Sequence, residues 1–169
     1  MARDEMYDTD IVGWSEDQAE RLRRLAGAER ANDAGIDWLN VIDEIEAVGR
    51  SERRAVMSHL AVALRHVLKI YGWPNHPAAD HWFDEATAAL ADMQAAIDPG
   101  MGQRLDLEKA YDSIRRKVEG LTMDGRGPRP LPVALPLAFE DLQDDGLTPA
   151  ELLRRVVAAR AAEEAASAR

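Results

Sequence analysis

The feature that most constrains the fold is an apolar stripe through residues 51–71. Its members recur every three or four positions, as on one face of an α-helix: Val56, Leu60, Ala63, Leu64, Val67 and Tyr71. No run of the chain sustains the period-two alternation, rich in β-branched residues, that a half-buried strand would show. The sequence therefore predicts an all-α fold.

Capping residues predict where the helices begin and end. Ser15, followed three residues later by a glutamine, has the pattern of a capping box. Gly49 is expected to end one helix at its C′ position, and Ser51 to cap the next. Thr148 before a proline starts the last helix. The predicted helices cover about 15–26, 38–48, 51–71, 78–96, 105–119 and the residues from 149 onward.

The stretch "GLTMDGRGPRPLPVALPLAF", which begins at Gly120, is too rich in glycine and proline to continue a helix. We expect it to cross over the helices in irregular form before the last one. The predicted architecture is an antiparallel bundle of four to six helices in a single domain, 1–169. The alanine-rich end, 160–169, is expected to fray.

The charge balance narrows the range of partners. Against 21 Lys and Arg the chain has 31 Asp and Glu, a net charge of −10, which disfavours nucleic acid and membrane surfaces. The absence of cysteine excludes disulfides, thiolate metal sites and cysteine nucleophiles. Acids stand where a secretory signal needs basic and apolar residues, and no run approaches about 18 consecutive apolar residues. These features predict a cytoplasmic protein.

An acidic cluster lies in "NVIDEIEAVGRSERRAV", residues 40–56. Crowded carboxylates raise one another's pKa, so Asp43, Glu44 and Glu46 could supply a general acid. Helical spacing, however, turns Glu44 about 100° away from Asp43 and leaves Ile42 and Ile45 as core contacts. A solvated or salt-bridged rim is therefore the favoured interpretation, with acid–base catalysis as the alternative.

Histidines and carboxylates suggest a divalent metal site, because helical bundles build such sites from inward-facing ligands. The candidate ligands are Glu46, His59, His66, His81 and Glu85. No Glu-x-x-His or His-Glu-x-x-His motif occurs, and the spacing of seven residues puts His59 about 10 Å from His66. Histidines hydrogen-bonded at the edge of the core are the favoured interpretation. No cofactor is predicted, and the metal remains the alternative.

Aromatic residues in and beside the segment "GWPNHPAADHWF" could anchor a partner. They are Trp73, Trp82 and Phe83. In a chain with only 5% aromatic residues, plugging the end of the bundle is the favoured role for each. The last helix could dock within the chain or exchange with a second copy, with docking in the same chain preferred.

Four segments carry a resemblance to known proteins: "YDTDIVGWSEDQAERLR", "DWLNVIDEIEAVGRSERRAVMSHLAVALRHVLKI", "LEKAYDSIRRKVEGL" and "LPVALP". They resemble the bacterial family called domain of unknown function 29, over about residues 7–150. The chain departs from the family after Lys69, where family members are richer in basic and aromatic residues. The resemblance implies an all-helical cytoplasmic bacterial protein. Because the family has no established activity, it supplies no catalytic residues.

The predicted function is contact with an unidentified protein partner, or with a second copy of the chain, without catalysis. The competing hypothesis is a metal-dependent helical-bundle enzyme that uses His59, His66, His81 and carboxylates of the second predicted helix. A third is an acidic mimic of nucleic acid that blocks a basic partner.

Overall fold

The computed structural model describes residues 3–27 and 35–168, and it confirms the all-α fold. The elements are α1 Arg3–Thr9, α2 Ile11–Ala26, α3 Trp38–Gly72, α4 Ala79–Ala96, a 3-10 helix Pro99–Arg104, α5 Leu107–Glu119, α6 Phe139–Leu142 and α7 Pro149–Ser167. The described ranges contain no strand, only an isolated antiparallel bridge between Met123 and Arg126. The described residues form seven α-helices: the predicted helices 38–48 and 51–71 are one helix, and the short helices α1 and α6 are not among those predicted.

The predicted break at Gly49 is wrong, because α3 runs without interruption from Trp38 to Gly72. Gly49 is buried against α2, where a Cβ would lie 2.4 Å from Ser15 Oγ and 3.3 Å from the Cα of Val12. The glycine therefore allows close contact between two helices and does not end one. Ser51 lies inside α3 and caps nothing.

The start predicted for α2 is also wrong. Asp10 is the N-cap, and its carboxylate accepts a hydrogen bond of 2.7 Å from the Gly13 amide. Ser15 is buried one turn into the helix, where its hydroxyl donates to Val12 O at 2.8 Å. At the other end of the chain, Thr148 caps α7 as predicted.

Backbone contacts divide the chain into two compact units. The first comprises the described residues of Met1–Ala55 with Asp98–Leu105, and the second comprises Val56–Ile97 with Asp106–Arg169. The prediction of a single domain stays a prediction. α3 contributes to both units, with residues 38–55 in the first and 56–72 in the second.

In the first unit, ion pairs surround the contact between α2 and the first half of α3. Glu16 accepts hydrogen bonds of 2.9 Å from both Arg53 and Arg104. Arg23 donates to Glu46 across the same pair of helices. These partners are largely exposed, so each pair adds at most about 1 kcal/mol.

The core of the second unit contains the predicted stripe of α3. Five of its six members are at most 2% exposed, and only Tyr71 is half-buried. They share the unit with Trp82 and Leu90 of α4, Tyr111 of α5 and Leu152 of α7, all buried. Each fully buried leucine or valine contributes roughly 1.5–3 kcal/mol.

The stretch between α5 and α6 is irregular, as predicted, and two polar contacts tie it to helices of its unit. Tyr111 donates its buried hydroxyl proton to Pro132 O at 2.8 Å. Glu163 of α7 accepts from the amides of Val133 and Ala134 at 2.7 and 3.1 Å. α7 itself is helical through Ser167, including most of the residues expected to fray.

None of the helices in the described ranges is long and apolar enough to cross a membrane.

Candidate functional site

The candidate site lies at the end of α3, where the chain contacts a segment about fifty residues further along the sequence. Gly72 closes α3, and a Cβ there would lie 2.8 Å from the Cβ of Pro128. The glycine lets the two segments meet, and the amide of Arg129 donates to Gly72 O at 2.9 Å. Asn75 then reverses the chain in the left-handed region, at φ 68°. The loop 72–77 is thus held against residues 126–129.

Residues 123–126 form a tight hairpin turn. Its central residues, Asp124 and Gly125, both have positive φ, 49° and 74°, as a type I′ turn requires. Met123 and Arg126 exchange two backbone hydrogen bonds of 2.9 Å. The indole of Trp73 donates to Arg126 O at 3.0 Å and fixes the turn to the loop. The Asp-Gly pair is a strong sequence signal for such a turn, which the sequence analysis missed.

A polar cleft of about 720 Å³ lies between this loop and this turn. His76 and Asp124 face each other across it, with Nε2 and Oδ2 3.8 Å apart. His76 Nδ1 accepts a hydrogen bond of 3.1 Å from the Ala78 amide, so the proton of the neutral ring is on Nε2, toward Asp124. The ring also stacks on Trp82, with centroids 4.6 Å apart. The histidine is therefore held in one orientation.

A second cleft, of about 440 Å³, lies between the end of α3 and α7. Its apolar lining comes from Ile70, Tyr71, Leu153, Val157 and Ala161. Val157 is 50% exposed, so the cleft is open to solvent. The two clefts share Pro74, Asn75 and Arg129 in their linings, which makes them neighbours on the surface of the second unit.

The charged side chains around the clefts differ in their pairing. Arg160 of the apolar cleft pairs with Glu164 at 3.1 Å and with Glu163 at 3.3 Å. Arg126 and Arg129 form no ion pair with any residue that the structure describes, although most other arginines do. The clefts therefore combine apolar surface with two arginines that form no ion pair with a described residue.

The predicted aromatic anchors differ in exposure, and Trp73 lines the polar cleft. Trp73 and Trp82 are buried, at 8% and 4% exposure, in agreement with the plugging role, and only Phe83 is exposed, at 40%. The ammonium of Lys69 lies 4.6 Å from the ring centroid of Trp82, a cation–π contact. Trp73 thus forms part of the wall of the polar cleft, and Trp82 packs against His76 of the same wall. Partner binding by the three aromatics stays a prediction.

The candidate metal ligands are divided between the two units. Glu46, in the first unit, meets arginines: Arg23 and, at 3.5 Å, Arg50. In the second unit, His59 Nδ1 lies 3.7 Å from Asp92 Oδ2. Within the described ranges, no three His, Asp or Glu residues are arranged to hold a metal ion.

His66, His81 and Glu85 do share one electrostatic neighbourhood. Burial lowers the pKa of His66, the charge of Lys69 lowers it further, and Glu85 partly opposes both. The buried Nδ1 of His66 has no hydrogen-bond partner in the described part of the chain. The hydrogen bond expected of a histidine at the edge of the core is therefore absent at this nitrogen, and metal binding here stays a prediction.

The acidic cluster on α3 forms a salt-bridged rim, the interpretation favoured from the sequence. Arg50 pairs with Asp43 at 3.0 Å as well as with Glu46. Glu44 is exposed. The pair Glu46–Arg50 is an i,i+4 pair that exists because α3 is continuous there.

Comparison with known proteins agrees with the helical architecture. A family model described as "Domain of unknown function DUF29" matches residues 6–147, and the chain belongs to that family. The crystal structure of an α-helical protein of unknown function from Rhodospirillum rubrum is similar, with a TM-score of 0.72 and 23% identity over 89% of this chain and 96% of that one. At this identity the likeness shows the fold alone. No curated protein matches the chain.

Proposed function

We propose that this protein binds a partner protein, and that the apolar cleft between the end of α3 and α7 receives an apolar side chain of that partner. The observation that carries the proposal is the cleft itself: about 440 Å³ of open space, lined mainly by hydrocarbon, in which Val157 is half exposed. Interfaces derive most of their affinity from such central apolar pockets.

The cleft is also preformed, which favours binding. Its shared wall at Pro74 and Asn75 is held by the hydrogen bond between Arg129 and Gly72 and by the indole of Trp73 on Arg126. A partner would therefore not need to order this wall, and less free energy is lost on association.

The chemistry of the lining supports binding in preference to catalysis. Its ionisable residues are Tyr71, Arg129, Arg160 and Glu164, and the last two pair with each other. The residues that line the cleft include no serine, threonine, cysteine, lysine or histidine, the usual nucleophiles and bases, and the one carboxylate among them is paired with Arg160.

The test is affinity purification from the native host with wild-type protein and two variants. Val157→Asp places a charge in the cleft, whereas Ala158→Asp adds the same charge to the next exposed residue of α7, which does not line it. We expect Val157→Asp to reduce recovery of the partner about tenfold or more, since a desolvated charge costs 1.4 kcal/mol or more. Ala158→Asp should recover it normally.

Sedimentation of the purified proteins tests whether the partner is a second copy, and the affinity purification itself has one outcome that would overturn the proposal. If the partner is a second copy, wild-type protein sediments as a dimer of the 18.7-kDa chain and Val157→Asp as a monomer. Equal recovery with both variants would show that the cleft is not the binding site.

A further inference from the structure

We infer that the segment bound in the apolar cleft is acidic, with a carboxylate beside its apolar anchor that contacts Arg126 and Arg129. This inference rests on the proposed function and adds the chemistry of the partner to it. It starts from the adjacency of the two clefts: Arg129 lines both, together with Pro74 and Asn75. Residues flanking an anchor in the apolar cleft would pass along this shared wall.

The pairing of charges leaves a local positive excess in an acidic chain. The two linings contain three arginines, Arg126, Arg129 and Arg160, against two carboxylates, Asp124 and Glu164. Glu164 is engaged by Arg160, and Asp124 faces His76. Arg126 and Arg129 form no ion pair with a described carboxylate, and three arginines against two carboxylates leave one net positive charge at the clefts of a chain whose net charge is −10.

The backbone holds both arginines in place. Arg126 ends the type I′ turn, with its amide donating to Met123 O and its carbonyl accepting from the Trp73 indole. Arg129 donates its amide to Gly72 O and stands between Pro128 and Pro130, whose rings restrict φ. Two arginines whose backbones are held in this way carry guanidinium groups without an ion-pair partner, and such groups suit a carboxylate, which accepts paired N–H donors.

The exposure of the two arginines limits how strongly they can bind a carboxylate. Both arginines are exposed, so each contact with a carboxylate is screened by water and salt. Two such exposed contacts together are expected to change the affinity about tenfold.

The test selects short random peptides, displayed on phage, against the purified full chain. The dissociation constants of the enriched peptides are then measured by fluorescence anisotropy for wild type and three variants. Arg126→Glu/Arg129→Glu reverses the inferred contacts but keeps their backbone hydrogen bonds. Val157→Asp blocks the apolar cleft. Arg65→Glu is the matched control, because Arg65 is exposed and equally unpaired but lies outside both clefts.

We expect enriched peptides to contain Asp or Glu within a few residues of a large apolar residue. Their affinity should fall about tenfold or more in the double arginine variant and in Val157→Asp, fall with added salt, and stay unchanged in Arg65→Glu. Peptides without acidic residues that lose affinity only in Val157→Asp would overturn the inference and leave the proposed function standing. Failure to enrich any peptide, or enriched peptides insensitive to every variant, would overturn both.

Discussion

Single residues without a side chain determine how closely the elements of this protein approach, and Gly49 is the clearest case. A Cβ at this position would overlap Ser15 Oγ and press on the Cα of Val12, 2.4 and 3.3 Å away. The same glycine, seen only in the sequence, has the pattern of a helix end. A helix C′ glycine and a glycine at a helix contact are alike in sequence, and only the neighbour in space distinguishes them.

Gly49→Ala tests this reading. The alanine gains about 1 kcal/mol of helix propensity, but overpacking against α2 costs about 1–3 kcal/mol, so we expect net destabilisation of up to about 2 kcal/mol in urea unfolding. The control is Gly27→Ala in the same unit, where a Cβ would come no closer than 3.6 Å to any atom. If Gly49→Ala were the more stable of the two, the contact with α2 would not be the reason for the glycine.

Asp98, in the first unit, is the second residue with a measurable consequence. Burial raises the pKa of its carboxyl, and the nearby carboxylate of Asp10 raises it further. The amides of Gly100 and Met101 approach the carboxylate without satisfying its oxygens at normal hydrogen-bond geometry, and with Arg104 they offset the shift only in part. Folding therefore favours the protonated acid.

The sign of the pH dependence follows from that raised pKa. The contribution of Asp98 to stability is full below its ordinary pKa of 3.8 and is lost as the pH rises through the higher folded value. We expect Asp98→Asn to unfold at a higher temperature than wild type at neutral pH, with the difference disappearing below pH 3.8. The control is Asp8→Asn, which makes the same substitution at an exposed position of α1. A constant difference between Asp98→Asn and wild type across pH would contradict the assignment.

Among the helices, turns and clefts, features that depend on residues close together in the sequence were predictable, whereas features built from distant segments were not. The stripe of α3 and the Thr148 cap were readable because helix periodicity and capping are properties of neighbouring residues. The clefts were not, because their walls come from 70–77, 123–129 and 153–164, which only the fold brings together. The turn at Asp124 and Gly125 is the one part of the site with a recognisable signal in the sequence, and that signal was missed.

Gly125→Ala tests how strongly this turn holds the polar cleft. Gly125 has φ 74° and open space around it, so an alanine there meets no neighbouring residue, but its Cβ strains the left-handed backbone by about 1 kcal/mol. We expect the amide of Arg126, bonded to Met123 O, to exchange its hydrogen about fivefold faster. Gly127→Ala, also in open space but without positive φ, is the matched control and should leave the exchange rate unchanged. Equal rates in both variants would mean that the turn does not depend on its left-handed residues.

Tyr111→Phe tests the attachment of the irregular stretch to α5. The substitution removes a buried hydroxyl and leaves Pro132 O without its donor, which costs about 1–3 kcal/mol. Urea unfolding measures the loss. A change below about 0.5 kcal/mol would indicate that water replaces the hydroxyl and that this hydrogen bond is not needed to hold the stretch in place.

For the whole molecule, the family model assigns the chain to a family described as a domain of unknown function, and a fold does not specify a function by itself, so the function has to be argued from surface chemistry. The chain is acidic overall, but the second unit has an apolar cleft beside two arginines that pair with no described carboxylate. These two features are the basis of the proposed recognition of a polypeptide. The predicted anchors Trp73 and Trp82 support this surface from within.

The most direct test of cleft binding is site-specific photocrosslinking in the native host. A photoreactive amino acid replaces Val157 in one strain and Ala158 in another, two exposed neighbours on α7 of which only the first lines the cleft. The account predicts one discrete crosslinked protein at position 157, reduced when excess unmodified chain competes, and little or none at position 158. Equal crosslinking at both positions, or none at 157, would contradict it.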